Sequence, residues 1–291
     1  MEQLINDFIS YMRDVKDASE NTLQAYMNDL KKLYSFCIRQ DIQSVTKISE
    51  TNLKSYLLAL ENEGLSPSSI NRNIAAVKAF ILYLIKHQII FNDPSERIKP
   101  PPVRKKAPQI LDTQMINRLL EQPDTKSHKG IRDKAILELL YATGIKVSEL
   151  ISIRLSDVNM SARYIICREF RERIIPFGNS AKKALQDYLN IRSKYYDKSK
   201  SDILFLNSSG KAISRQGLWK IIKYYADTAG ITDVNPNSIR HSFAAHMLDN
   251  GADLGSVQEF LGHSDISTTQ IYMSSGYKNS REVYMRTHPR A

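Results

Sequence analysis

Between Glu2 and about Lys86 the apolar residues recur at steps of three and four, the period of an amphipathic helix. Leu4, Phe8, Tyr11, Met12 and Val15 form one run, and Leu23, Tyr26, Leu30, Leu33 and Tyr34 a second, which Ser19 precedes. Leu53, Leu57 and Leu60 mark a third that stops at Gly64. Ser66-Pro67 opens a fourth through Ile70, Ile74, Val77, Phe80, Ile81 and Leu84. The first N–H groups of a helix lack intrahelical partners, so a hydroxyl side chain before a run and Pro in its first turn are start signals. Gly just past a run is a stop signal. Four such helices predict one small bundle over residues 1–98.

Residues 99–109 break the period. Pro100, Pro101 and Pro102 favour an extended, semi-rigid spacer, and Arg104, Lys105 and Lys106 suit a linker lying on phosphates, or simply a solvated one. A second domain is expected over 110–291. Asp112 can cap a helix through Met115, Leu119 and Leu120, and Gly130 to Thr143 predicts another, with Ile131, Ala135, Leu139 and Ala142 on one face. Tyr164–Cys167 and Arg173–Pro176 look like strands around a charged turn, and Ile203–Leu206 like a short strand before Asn207-Ser208-Ser209-Gly210. The remainder reads as helix. The fold class is therefore mainly α, a four-helix bundle followed by a mostly helical, mixed α/β domain.

The chain has 291 residues, enough for about two domains. No apolar run approaches the ~18 residues of a membrane span, and the start lacks the charged and apolar regions of a signal peptide. With Cys37 and Cys167 as the only cysteines a disulfide framework is not expected, and cytoplasmic residence is. The net charge is +10. The first hundred residues carry 12 basic and 12 acidic side chains, so the whole excess lies beyond them. A basic domain behind a neutral one points to a polyanion such as nucleic acid; plain solubility is the alternative. The six histidines are scattered, and neither HExxH nor a paired-cysteine spacing occurs, so no metal or other cofactor is expected.

Four segments of the second domain stand out: Ala142-Thr143-Gly144-Ile145-Lys146-Val147-Ser148-Glu149-Leu150, the turn Arg168–Arg173, Ile239-Arg240-His241-Ser242-Phe243-Ala244-Ala245-His246, and Leu261-Gly262-His263 followed by Ser267-Thr268-Thr269-Gln270-Ile271-Tyr272. In this order and at these separations they resemble the tyrosine recombinase and integrase family, closest to its Xer-type members. The resemblance runs over nearly the whole chain: the N-terminal bundle is similar to the family's core-binding domain, and Thr287-His288-Pro289-Arg290-Ala291 to Xer-type tails. It implies a site-specific DNA recombinase without a nucleotide cofactor. Tyr272 would attack a phosphodiester to give a 3′-phosphotyrosyl link, and Arg240 and His263 would hold the scissile phosphate. Fixed cationic donors aimed at the non-bridging oxygens stabilise such a transition state, and the leaving 5′-oxygen needs a proton from a general acid. The resemblance also implies four protomers, of this chain or with a related recombinase, on two double-stranded sites. The two domains would clamp duplex DNA as a C, and the tail after Gly276 would dock on a neighbour. Bottom-up, Ser267-Thr268-Thr269-Gln270 fits a capping box, placing Tyr272 near a helix start whose dipole favours a phenolate. Glu149, one turn after Lys146, either orients a cationic group or is a surface carboxylate.

Three positions depart from the family. Lys146 stands where the first arginine is expected; it keeps the charge and loses the two-pronged fork, on the order of 10–100-fold in rate. Arg168 stands in place of the lysine that serves as general acid, and a guanidinium with a pKa above ~12 is a poor proton donor. Asn237 replaces a histidine; it can hydrogen-bond a phosphate oxygen, or it can be the N-cap of the Arg240 helix. Two readings follow. Either Lys146 and Arg168 have exchanged roles and the enzyme cuts DNA, or cleavage is lost and the protein is a DNA-binding accessory factor.

Overall fold

The computed structural model describes residues 1–102, 109–168, 172–195, 201–262 and 283–291. The chain divides into two compact units, Met1–Lys106 and Ala107–Ala291. In the first, α1 (Glu2–Asp14), α2 (Glu20–Arg39), α3 (Glu50–Asn62) and α4 (Pro67–Lys86) are the four helices that the apolar period predicts. Their starts are fixed by side chains that accept otherwise orphaned N–H groups: Ser19 from Thr22, Ser49 from Asn52, and Ser66 from Ser69. Phe8, Leu30, Leu33, Leu60, Phe80 and Leu84 fill the core. The buried Asp29 carboxylate is satisfied by the Arg72 fork at 2.8 and 2.9 Å. A buried charge without such a partner would cost several kcal/mol.

The second unit opens with α5 (Thr113–Glu121), where Asp112 accepts from the Met115 N–H at 2.7 Å. Next, α6 (His128–Thr143) is capped by Ser127 and starts two residues before the expected Gly130. It is not the one-faced helix expected from its apolar spacing: almost every residue from Arg132 to Thr143 is buried. The reason is its central place, with α5, α8 (Asn179–Tyr195) and α10 (Pro236–Asp249) all packed on it. The charge this buries is paired, since Asp133 accepts from Arg132 at 2.7 and 2.9 Å and from the Tyr225 hydroxyl at 3.1 Å. Further α-helices among the described residues of this unit are α7 (Val147–Ser152), α9 (Arg215–Thr228) and α11 (Leu254–Leu261).

Strands β1 (Val158–Asn159), β2 (Tyr164–Cys167) and β3 (Arg173–Pro176) form an antiparallel sheet in that order, with Ile165 opposite Ile175 and Cys167 opposite Arg173. The strand expected at Ile203–Leu206 is replaced by two isolated bridges, Arg154 to Ile203 and Leu206 to Ala212. Side chains add to the few backbone hydrogen bonds there, such as that from the Leu204 N–H to the Ile153 carbonyl. Arg192 donates to the carbonyls of Ser201, Ile203 and Leu204, and the Tyr188 hydroxyl donates to Leu204 and accepts from the Leu206 N–H.

The resemblance placed the tail on a neighbouring subunit; residues 283–291 instead sit on their own unit. Tyr284 is fully buried, its hydroxyl accepts from the Gly178 N–H at 3.2 Å, and its ring stacks on His288 at 4.7 Å. Arg290 grips Glu138 at 2.6 and 3.2 Å. A Cβ at Gly178 would run into the Arg290 carbonyl, so the seat is shaped for this tail. The Arg290 N–H donates to His288 Nδ1 at 3.1 Å, which leaves Nε2 to donate to the Tyr141 carbonyl at 3.3 Å. That pattern requires neutral imidazole, and burial pushes the His288 pKa down to about 4.

Candidate active site

Arg240 is delivered by α10. The helix is capped by Asn235, whose side chain accepts from the N–H groups of Asn237 at 2.9 Å and Ser238 at 3.1 Å, and Pro236 fills its first position. The reading of Asn237 as the cap is thus corrected by two residues. Proline lacks an N–H and is preset for the first helical position, so the start shifts to Asn235. Asn237 is left exposed on the first turn, three residues ahead of Arg240 and on the same face.

The Arg240 side chain is buried. Its Nη1 donates to the Gly144 carbonyl and its Nη2 to the Leu261 carbonyl, each at 2.7 Å. Burial lowers its pKa, the Glu149 carboxylate opposes that, and the Arg173 charge adds to it. Gly144 ends α6 in the left-handed conformation (φ +58°), and the Phe243 ring occupies the place of its missing Cβ. The chain then turns through Ile145 into Lys146, the N-cap residue of α7, whose backbone N–H donates to Glu149 Oε2 at 2.8 Å.

Glu149 is buried, which removes the surface-carboxylate alternative. Its partner is Arg173 of β3, through a two-pronged bridge at 2.8 and 2.9 Å. Arg173 also donates through Nε to the Phe260 carbonyl at 2.9 Å and through Nη2 to the Leu261 carbonyl at 3.4 Å. It thereby satisfies carbonyls at the end of α11 that have no intrahelical partner. A Cβ on Gly262 (φ +61°) would lie 2.7 Å from the Arg173 guanidinium carbon, so glycine is needed there twice over. Sequence reasoning missed Arg173. The available signal was strand alternation, which puts it on the same inward face as the fully buried Ile175. The Cys167 thiol lies under the same group, and burial pushes its pKa up to about 12.

These contacts close a ring from the Gly144 carbonyl through Arg240, Leu261, Arg173 and Glu149 to the Lys146 N–H, two residues from where it began. Two guanidinium groups face one carboxylate, one positive charge in excess. Among the described residues Arg240 spends only two of its five N–H groups. An oxyanion would complete both the charge and the hydrogen bonding.

Arg168 is not joined to this ring. Its Nε donates to Asp157 at 2.9 Å and its Nη1 to Glu172 at 2.7 Å, and the Asp157 hydrogen bond holds its proton still more tightly than usual. His263 and Tyr272 lie outside the described residues, as do the capping-box residues 267–270, the turn residues 169–171 and the linker cations Arg104, Lys105 and Lys106. The anchored Leu261 carbonyl is two residues before His263.

The sequence profile of the phage integrase family matches residues 109–279, and that of the phage integrase N-terminal SAM-like domain matches residues 5–88. The chain belongs to the phage integrase family of tyrosine recombinases. It is 41% identical to the tyrosine recombinase XerD of Staphylococcus haemolyticus over 295 residues, covering 100% of both chains. It is 37% identical to the tyrosine recombinase XerC of Roseiflexus castenholzii, covering 100% of this chain and 95% of the relative. The fold matches the XerH site-specific recombinase bound to its difH substrate with a TM-score of 0.70 at 19% identity, covering 97% of this chain and 82% of that one. This tyrosine recombinase is accordingly an enzyme of site-specific DNA recombination, and nothing in these relatives favours the accessory-factor reading.

Proposed function

We propose that this recombinase cuts and rejoins duplex DNA with Tyr272 as nucleophile and the Arg240 ring as the seat of the scissile phosphate. The observation that carries this is the buried ring with one positive charge in excess and unspent Arg240 donors. The Tyr272 oxygen forms a bond to phosphorus, the bond to the 5′-oxygen breaks, and that oxygen leaves with a proton. Attack by a second 5′-hydroxyl on the phosphotyrosine reverses the step. Arg240, His263 and Asn237 hold the non-bridging oxygens. Preorganised donors of this kind are each worth about 2.7–4 kcal/mol in comparable oxyanion sites.

The departures from the family pattern sharpen the role of Lys146. An ammonium can give up a proton where a guanidinium cannot, and Lys146 stands on the loop that Arg240 grips. Arg168 is committed to Asp157 and Glu172. The role exchange is therefore supported at Lys146, as proton donor to the leaving oxygen, more than at Arg168 as a second clamp. In the assembled state four protomers, of this chain or with a related recombinase, hold two double-stranded DNA sites in the cytoplasm.

A nicked duplex that traps the covalent intermediate tests the chemistry. The expected result is a DNA-linked protein band on a denaturing gel that disappears in Tyr272→Phe. Bound duplex without any such band would sink the cleavage reading, and a band that survives Tyr272→Phe would show that another residue attacks.

A further inference from the structure

The ring contains an arginine that the reaction does not use. Arg173 cannot itself clamp a phosphate, because its fork is spent: Nη1 and Nη2 on Glu149, Nε and Nη2 on the Phe260 and Leu261 carbonyls. What it does control is Glu149. That carboxylate is buried against two guanidinium groups, Arg173, which it grips, and Arg240, whose charge it already feels. The two arginines meet at one acceptor, the Leu261 carbonyl. A buried carboxylate that loses its partner takes the next available cation, and here that is Arg240. An arginine fork matches carboxylate and phosphate by the same geometry, so an edge held by Glu149 is lost to DNA.

We infer that Arg173 is a positioning residue: it occupies Glu149 so that Arg240 stays open to the scissile phosphate, and it fixes the end of α11 from which His263 emerges. This rests on the reading of Arg240 as the phosphate clamp. Gly262 belongs to the same device, since only a residue without a Cβ lets the Arg173 guanidinium lie against it.

The test uses the full-length chain on the nicked duplex, with three readings: the rate of covalent-complex formation, the duplex Kd and the melting temperature. Arg173→Gln is expected to slow covalent-complex formation by about 100-fold while Kd changes by less than about threefold. The double variant Glu149→Gln/Arg173→Gln is expected to recover to within about tenfold of the parent. A neutral amide at 149 still accepts the Lys146 N–H but does not capture Arg240. A purely structural role for Arg173 predicts the opposite, a double variant at least as slow as the single one. If both variants are folded and equally slow, or if Arg173→Gln cuts at the parental rate, the inference is overturned. Should Arg173→Gln not fold, Arg173→Lys decides the matter: it keeps the charge beside Glu149 and gives up the fork. It should cut within about tenfold of the parent; a rate as low as that of Arg240→Gln overturns the inference. Arg240→Gln also separates the two ideas. If that variant cuts normally, the clamp reading fails, whatever Arg173 does.

Discussion

At position 146 a lysine stands where the family has a guanidinium, and its worth depends on which property is used, the charge or the proton. If Lys146 protonates the leaving 5′-oxygen, Lys146→Arg should lower the cleavage rate by at least about tenfold despite preserving the charge. A substrate with a 5′-bridging sulfur, which leaves as a thiolate without needing a proton, should restore the variant to near the parental rate. A faster Lys146→Arg enzyme would mean that the native lysine is a handicap. Part of this site is legible one residue at a time: the resemblance of their segments picks out Arg240 and Lys146, whereas Glu149 stays open between an orienting and a surface role until its burial decides it. Arg173 does not, because it reads as one more charge in a polar turn. Its partner stands 24 positions earlier in the chain, and only the folded sheet brings the two together. Asn237 and Asn235 show the reverse: both are good caps by type, and Pro236 between them decides which one serves.

The elements follow the apolar period closely in the first unit, where each helix has one buried face and α2, α3 and α4 each start at a serine cap. In the second unit the period loses its information twice. Helix α6 is enclosed on all sides, so no single stripe marks it. Ile203–Leu206 has the composition of a strand, but the Ile203 and Leu204 carbonyls are claimed by Arg192 from α8 and the Leu206 carbonyl by Arg132. Arg192→Lys removes a fork that serves three carbonyls and leaves one flexible ammonium, which should destabilise the unit by about 2–3 kcal/mol. Chemical denaturation would measure this, and hydrogen exchange should show the Leu204 and Leu206 amides losing protection ahead of the rest of the second unit. Unchanged stability would mean that water serves those carbonyls equally well.

For the molecule as a whole, acid should act first through the tail. The unfolded chain binds a proton at His288 below about 6.5, the native chain only below about 4. The stability this neutral imidazole contributes is therefore complete above about 6.5 and is lost as the pH falls towards 4. The loss is on the order of 3 kcal/mol. His246, bonded to Tyr141 at 2.9 Å and also lowered by burial, acts in the same direction. Urea midpoints should fall between pH 7 and pH 5, and His288→Phe, which keeps a ring without a proton site, should flatten that dependence. An equally steep profile in the variant would place the titration elsewhere.

Both cysteines are buried, Cys37 in the core of the first unit and Cys167 beneath the Arg173–Glu149 bridge, and burial raises the pKa of each. A thiol in that condition reacts with an alkylating reagent only when its surroundings open. The chain thus carries one slow chemical clock in each unit. If DNA completes the charge of the Arg240 ring, a bound duplex should slow the alkylation of Cys167 more than that of Cys37, and Arg173→Gln should speed it even without DNA.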